Sequence, residues 1–227
     1  MALSGTIDYR RTAAQVVSRA LQKLGVLGQG FEASADELQN GLDALNEMLK
    51  TWSTQGPNLW TRAEQEVTLV SGTQTYTLSP RPRLVYNVRW AVDGEERLPL
   101  PEWTRQNWDR FIYKTSTGEP KIYVLDKQRT ATTITLWPIP EFDSGSETWT
   151  LNVSYERALE IVTEGAHDID VPEEFTETVI MCLAARLAED YRLTDETSER
   201  VRERAVTLLE QAMSFDRWGD VELWVSR

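Results

Sequence analysis

Periodicity predicts an α+β protein: a helical bundle built from N- and C-terminal helices, with an antiparallel β domain inserted between them. Apolar residues recur at helical spacing from residue 10 to about 55, alternate from about 63 to 156, and return to helical spacing from 172 to 213. Neither helical pair easily buries its stripe alone. The simplest arrangement therefore unites 1–62 and 157–213 in one bundle, with 63–156 as the β domain and 214–227 as a separate C-terminal segment. No internal repeat or low-complexity linker interrupts this order.

In "RRTAAQVVSRALQKL", residues 10–24, the residues Ala13, Val17, Ala20, Leu21 and Leu24 fall on one face, and Gly25 follows where a left-handed residue ends a helix. The next helix opens on the capping-box pair Ser34 and Glu37 and carries the stripe Leu38, Leu42, Leu45, Leu49 and Trp52. It stops at Gln55-Gly56-Pro57, because proline cannot continue the ladder and restricts the residue before it. Trp52 and Trp60 flank this exit, which marks the joint where the chain leaves the bundle.

Strands follow. "EVTLVSGTQTYTL" reads as a hairpin around Ser71-Gly72, and "RLVYNVRWAVDGEERLPL" as a second one with Asp93-Gly94 at its tip. "KIYVL", "TTITLWP" and "TWTLNVSYER" supply three more strands. A short helix is expected in "TRQNWDRFIY", with "STGEP" as the loop behind it, and Pro138 and Pro140 end the strand at Trp137. Five of the nine tryptophans lie here: Trp90, Trp103, Trp108, Trp137 and Trp149. They are expected to close a small core, in preference to forming a ligand-stacking platform.

After Arg157 the chain is acidic and turn-like until "DVPEEF". Pro172 suits the first helical position, and Glu173 and Glu174 the first turn. Phe175, Val179, Leu183, Leu187 and Tyr191 continue the apolar face. The last helix starts at Thr194 or Asp195 and turns Val201, Ala205, Leu208, Leu209, Ala212 and Phe215 inward.

Chemistry is sparse in this sequence. One cysteine, Cys182, and one histidine, His167, exclude an internal disulfide, a Cys/His zinc cluster and most histidine relays. Cys182 reads as a small core residue, and His167 as a solvated loop residue. "DIDVPEE" gathers four carboxylates but lacks the glycine and ligand series of a calcium loop, so a helix cap is the better reading. Ser154 and Thr150 sit on a strand, not a nucleophile elbow, and no phosphate-cradling glycine loop is present. No apolar run approaches a bilayer's thickness, and "MALSGTIDYRRTAAQ" lacks a signal-peptide core, so a cytoplasmic product without a membrane partner is expected.

The net charge of −12, from 24 basic and 36 acidic side chains, argues against a general grip on nucleic-acid phosphates. The acid is concentrated. Residues 156–200 hold thirteen carboxylates against four arginines, a net of −9. For an isolated monomer this is a solvated face.

"LQKLGVL", "LDALNEMLKTWSTQGPNLW", "GTQTYTL", "LWPIP" and "DVPEEF", in this order, resemble the head-to-tail adaptor proteins of tailed bacteriophages, especially short-tailed ones. These are also called head-completion, tail-accessory or packaged-DNA-stabilising proteins. The likeness runs from about residue 10 to 212, and the smaller members have little between their helices, so it says least about residues 63–156. It implies a structural virion protein rather than an enzyme, without cofactor or metal, assembled in the host cytoplasm and placed at the head–tail junction. Copies would form a ring, a dodecamer in the family, that binds the portal, receives the tail nozzle or tail tube, and surrounds double-stranded DNA without specific binding.

The resemblance also assigns roles. Glu164, Asp168, Asp170, Glu173 and Glu174 would line the DNA channel, where a negative wall keeps the duplex free to slide. Arg217, Trp218, Leu223, Trp224 and Arg227 would dock on the portal, since free apolar groups in a short tail call for a partner. Trp52, Gly56, Pro57 and Trp60 would form the joint from which the β domain points toward the tail. Two other readings stay open: a carbohydrate-binding β module using exposed tryptophans, and a carboxylate-dependent glycan hydrolase of a phage tail.

Overall fold

A computed structural model describes residues 9–55, 59–191 and 193–217. Helices and antiparallel sheets make an α+β protein. The chain divides into two compact units: Met1–Trp60 with Leu159–Arg227, and Thr61–Ala158.

In the first unit, α1 (Ala13–Leu24) begins on a capping box in which Thr12 and Gln15 satisfy each other's backbone N–H groups, and ends on Gly25 at φ 74°. The capping box expected for α2 (Ala35–Gln55) is present: Ser34 N donates to Glu37 Oε2 at 2.9 Å, and Glu37 N to Ser34 Oγ at 3.4 Å. A 3-10 turn, Glu173–Phe175, leads into α4 (Thr176–Asp190), and α5 (Asp195–Arg217) follows. Pro172 thus stands before the turn with extended ψ, not inside the helix. Leu21, Leu45, Leu49, Val179, Leu183, Leu187, Val201 and Ala205 share one core drawn from all four helices. Gly41 lets α1 and α2 meet closely, since a Cβ there would collide with the Val17 methyls.

The acidic turn region also belongs to this unit. Leu159 and Val162 are buried in the same core. Asn46 clamps Val162 from both sides, donating to its carbonyl at 2.7 Å and accepting its N–H at 2.8 Å, while Lys50 Nζ donates to the Leu159 carbonyl at 2.8 Å. The carbonyls of His167 and Gly165 accept the N–H groups of Ala13 and Ala14, each at 2.9 Å. What reads as a solvated loop is therefore a strap that satisfies the orphan donors of α1.

The second unit has two antiparallel sheets. The first runs in the order β1 (Arg62–Thr68), β9 (Trp149–Glu156), β3 (Leu84–Val92), β4 (Glu95–Glu96). The second runs β2 (Thr75–Leu78), β7 (Thr132–Trp137), β6 (Ile122–Lys127). Both strands expected around Ser71-Gly72 form, but they do not pair: β1 pairs with β9, and β2 with β7. Tyr76 holds the intervening corner, its hydroxyl accepting Val70 N–H at 3.0 Å and lying 3.0 Å from the Thr73 carbonyl. Leu69, Tyr76, Leu78, Val88, Ile134, Leu136, Leu151 and Val153, drawn from both sheets and the corner, fill one core. The Asp93-Gly94 hairpin is as expected, with both residues at positive φ (49° and 85°), as a two-residue type I′ turn requires. The short helix, α3 (Arg105–Arg110), is capped by Thr104. The loop expected at "STGEP" contains β5 (Thr117–Gly118), which pairs in parallel with β8 (Ile139–Pro140).

Candidate functional site

The residues singled out by sequence fall into separate places. At the helix exit, Trp52 and Trp60 both pack against the helical core, and Trp60 meets Phe175 at 4.8 Å between ring centroids. Gly56 and Pro57 lie outside the described residues. At the C-terminus, α5 continues through Arg217, two residues beyond the expected end of the apolar face. Trp218, Leu223, Trp224 and Arg227 lie outside the described residues.

Glu164, Asp168 and Asp170 lie in the strap, and Glu173 and Glu174 in the 3-10 turn that follows it. Glu164, Asp168 and Glu174 are exposed. Asp170 accepts the Glu160 N–H at 3.0 Å. Glu173 accepts the Tyr9 N–H at 2.6 Å and lies 3.8 Å from Arg10 Nε. Two of the five are therefore engaged in holding the fold, and Asp168 and Glu173 lie beside the residues that open α1, where carboxylates are favoured. His167 is exposed, with Nδ1 3.3 Å from Thr163 Oγ1.

The tryptophans of the β unit divide into two groups. Trp90 and Trp149 are buried in the sheet core, tilted at 4.8 Å from each other, with Phe142 stacked on Trp149 at 4.5 Å. Trp103, Trp108 and Trp137 instead surround Phe111, which meets Trp137 edge-on at 4.7 Å and Trp103 edge-on at 5.4 Å. Trp137 Nε1 donates to the Tyr113 carbonyl at 2.7 Å. These rings use their faces and edges on one another, which is the structural role expected of them. The outer edge of this group is apolar and open: Ile112 is 84% and Tyr113 69% exposed.

Burial pushes the Cys182 thiol up to about 11, and burial beside Glu102 pushes the Tyr123 phenol up to about 12. Among the described residues, no group of three or more His, Cys, Asp or Glu is placed to hold a metal ion. Ser154 and Thr150 lie on β9, away from the core face taken by Leu151 and Val153.

Sequence reasoning missed two features. Glu156 is a carboxylate 1% exposed, bound by Arg83. Phe31 is an aromatic held in solvent by a glycine-rich loop, and its signal was its position in "GVLGQGFEA".

The arrangement is one of packed helices, a strap, and exposed apolar and charged surfaces, which suits assembly. The sequence model of the SU10 adaptor protein family matches residues 11–221, helices and strands alike. The chain belongs to the SU10 adaptor protein family. No match is found among curated proteins. As an SU10 adaptor, the protein is a phage head–tail adaptor, a structural role whose partners are in general the portal and the tail and whose place is the head–tail junction of the virion. The adaptor role points away from enzymatic activity. No helix among its described residues is long and apolar enough to cross a membrane.

Proposed function

We propose that the protein is a ring-forming adaptor that joins the portal of a short-tailed phage to the tail, extends the DNA channel and helps retain packaged DNA. The observation that carries this reading is the family match over residues 11–221, which takes in the helical unit and the β unit together. Copies close into a ring, a dodecamer on the portal's symmetry, in which the helical unit is proximal to the portal and residues 214–227 dock on it. The β unit receives the tail nozzle or tube. The exposed edge at Ile112 and Tyr113 supports that assignment, since large apolar groups held in water mark contact surfaces.

Of the acidic strap and the turn after it, Glu164, Asp168 and Glu174 are the residues available to face DNA, and their charge keeps the duplex from adhering to the wall. Asp170 and Glu173 serve the fold first.

The test is to delete residues 218–227, which leaves α5 intact through Arg217, and to measure co-sedimentation with purified portal. Loss of portal binding by a folded truncation is the expected result. A truncation that binds with unaltered affinity contradicts the docking role of the tail.

A further inference from the structure

Between residues 9 and 24 the charged side chains are Arg10, Arg11, Arg19 and Lys23, with no carboxylate among them, in a chain of net charge −12. The loop that follows α1 holds Phe31 69% exposed. Its ring lies against Gly28, where a Cβ would come within 3.0 Å of the ring edge, and Gly30 bends the chain at φ +84°. The loop is fastened to α1: Gln22 Nε2 donates to the Phe31 carbonyl at 3.2 Å, Arg19 Nη1 to Gln22 Oε1 at 3.0 Å, and Ala33 N to Ser18 Oγ at 3.2 Å. The result is a pre-organised aromatic knob with Arg11 and Arg19 on its α1 side and one carboxylate, Glu32, beside it.

The same unit carries the complementary shape. A groove of about 870 Å³ between α2 and α4 has Ala44, Leu187 and Tyr191 among its lining residues, with four carboxylates. Glu47 is paired with Arg186 at 2.6 Å and Glu189 with Arg202 at 2.8 Å, which leaves Asp43 and Asp190 to give the groove its negative charge. The two features lie on opposite sides of α2. Leu38 borders the knob side together with Arg11, Arg19 and Phe31, whereas Asp43 and Glu47 border the acidic groove. At 100° per residue, Leu38 stands about 140° and about 180° around the helix from them.

We infer that the Phe31 knob and cationic α1 of one copy dock in the acidic α2–α4 groove of a second copy. This rests on the ring reading and specifies its contact. Complementary patches on opposite sides of one unit make a heterologous, head-to-tail contact, and such contacts repeat from copy to copy and close into a ring when the rotation between neighbours closes. An aromatic anchor with neighbouring arginines is the composition of interface hot spots, and opposite charge aligns the partners.

Two full-length variants test the contact by sedimentation velocity, free and on purified portal. Phe31→Asp with Arg19→Glu removes the knob and keeps the groove; Asp43→Arg with Asp190→Arg spoils the groove and keeps the knob. Thermal melting checks that each is folded. The expected result is that neither assembles alone, while their mixture gives one-to-one pairs that grow no further, because only one contact per pair is intact. Wild-type assembly by either variant alone, or a mixture without pairs, overturns the docking and leaves the adaptor reading standing. Assembly lost on deleting residues 218–227 but kept in both variants assigns the contact to the tail, away from the groove, and also overturns it. A wild-type chain that neither self-associates nor joins the portal overturns both.

Discussion

Arg83 holds the buried carboxylate of Glu156 with two nitrogens, Nε at 3.0 Å and Nη2 at 2.8 Å from Oε1, while Tyr86 donates its hydroxyl to Oε2 at 3.2 Å. Glu156 ends β9, and Thr61, just before β1, contributes a hydroxyl 3.5 Å from the same Oε1. The carboxylate thus ties together both chain ends of the β unit. Removing one partner of a buried pair leaves an uncompensated charge, at a cost of about 3–5 kcal/mol. Arg83→Met is expected at the lower end of that range, because Arg83 is itself 29% exposed. Arg83→Met with Glu156→Met is expected to recover much of the loss. Urea unfolding of the two variants checks this, and a double variant no more stable than the single one contradicts it.

Gly41 tests the close approach of α1 and α2. In an exposed helix interior, Gly→Ala stabilises by about 0.5–1 kcal/mol. Here the new Cβ meets the Val17 methyls, and overpacking costs about 1–3 kcal/mol. Gly41→Ala is expected to lower the melting temperature, and Val17→Ala in that background to restore part of it. A rise in melting temperature on Gly41→Ala would show that the helices are not in contact there.

Cys182 sets an alkaline limit. Its thiol goes from an ordinary 9.0 to about 11 by burial, so at pH 8 its thiolate is roughly a hundredfold scarcer than that of a free cysteine. Modification by a thiol reagent is expected to be slowed at least in that proportion and to become fast in denaturant. The raised value also gives the sign of the linkage: the contribution is complete below pH 9 and is lost as pH climbs toward about 11. Tyr123, pushed up to about 12, acts in the same direction. Stability that holds level from pH 9 to 11 contradicts the burial of both.

The acidic strap and the turn after it give a prediction for the assembled particle. Reversal of Glu164, Asp168 and Glu174 to lysine is expected to slow DNA ejection, and the effect to fade with salt, since exposed charge is screened over about 10 Å at 0.1 M. Glu173 is left intact, because it binds Tyr9 and Arg10. Ejection indifferent to the reversal at every salt concentration assigns these residues to solvent alone.

Legibility followed the range of the interactions. Capping boxes, apolar stripes and the Asp93-Gly94 turn act over a few residues, so Ser34, Leu45 and the β3–β4 hairpin were readable directly. The Ser71-Gly72 turn carries the local signal of a hairpin, whereas the Tyr76 corner and the two-sheet core, which separate β1 from β2, are long-range. The strap has the composition of a solvated loop because its ties are backbone carbonyls to Ala13 and Ala14, which leave no mark on composition. Glu156 and Gly41 depend on partners at Arg83 and Val17, and a lone glutamate or glycine in a sequence does not declare such a partner.

Electron microscopy of purified portal, alone and after addition of this protein, tests the central claim most directly. The adaptor account predicts an added ring of density on the tail-facing side of the portal, with twelve copies continuing its channel. A portal unchanged by excess protein, or bound by scattered single copies that form no ring, would contradict it.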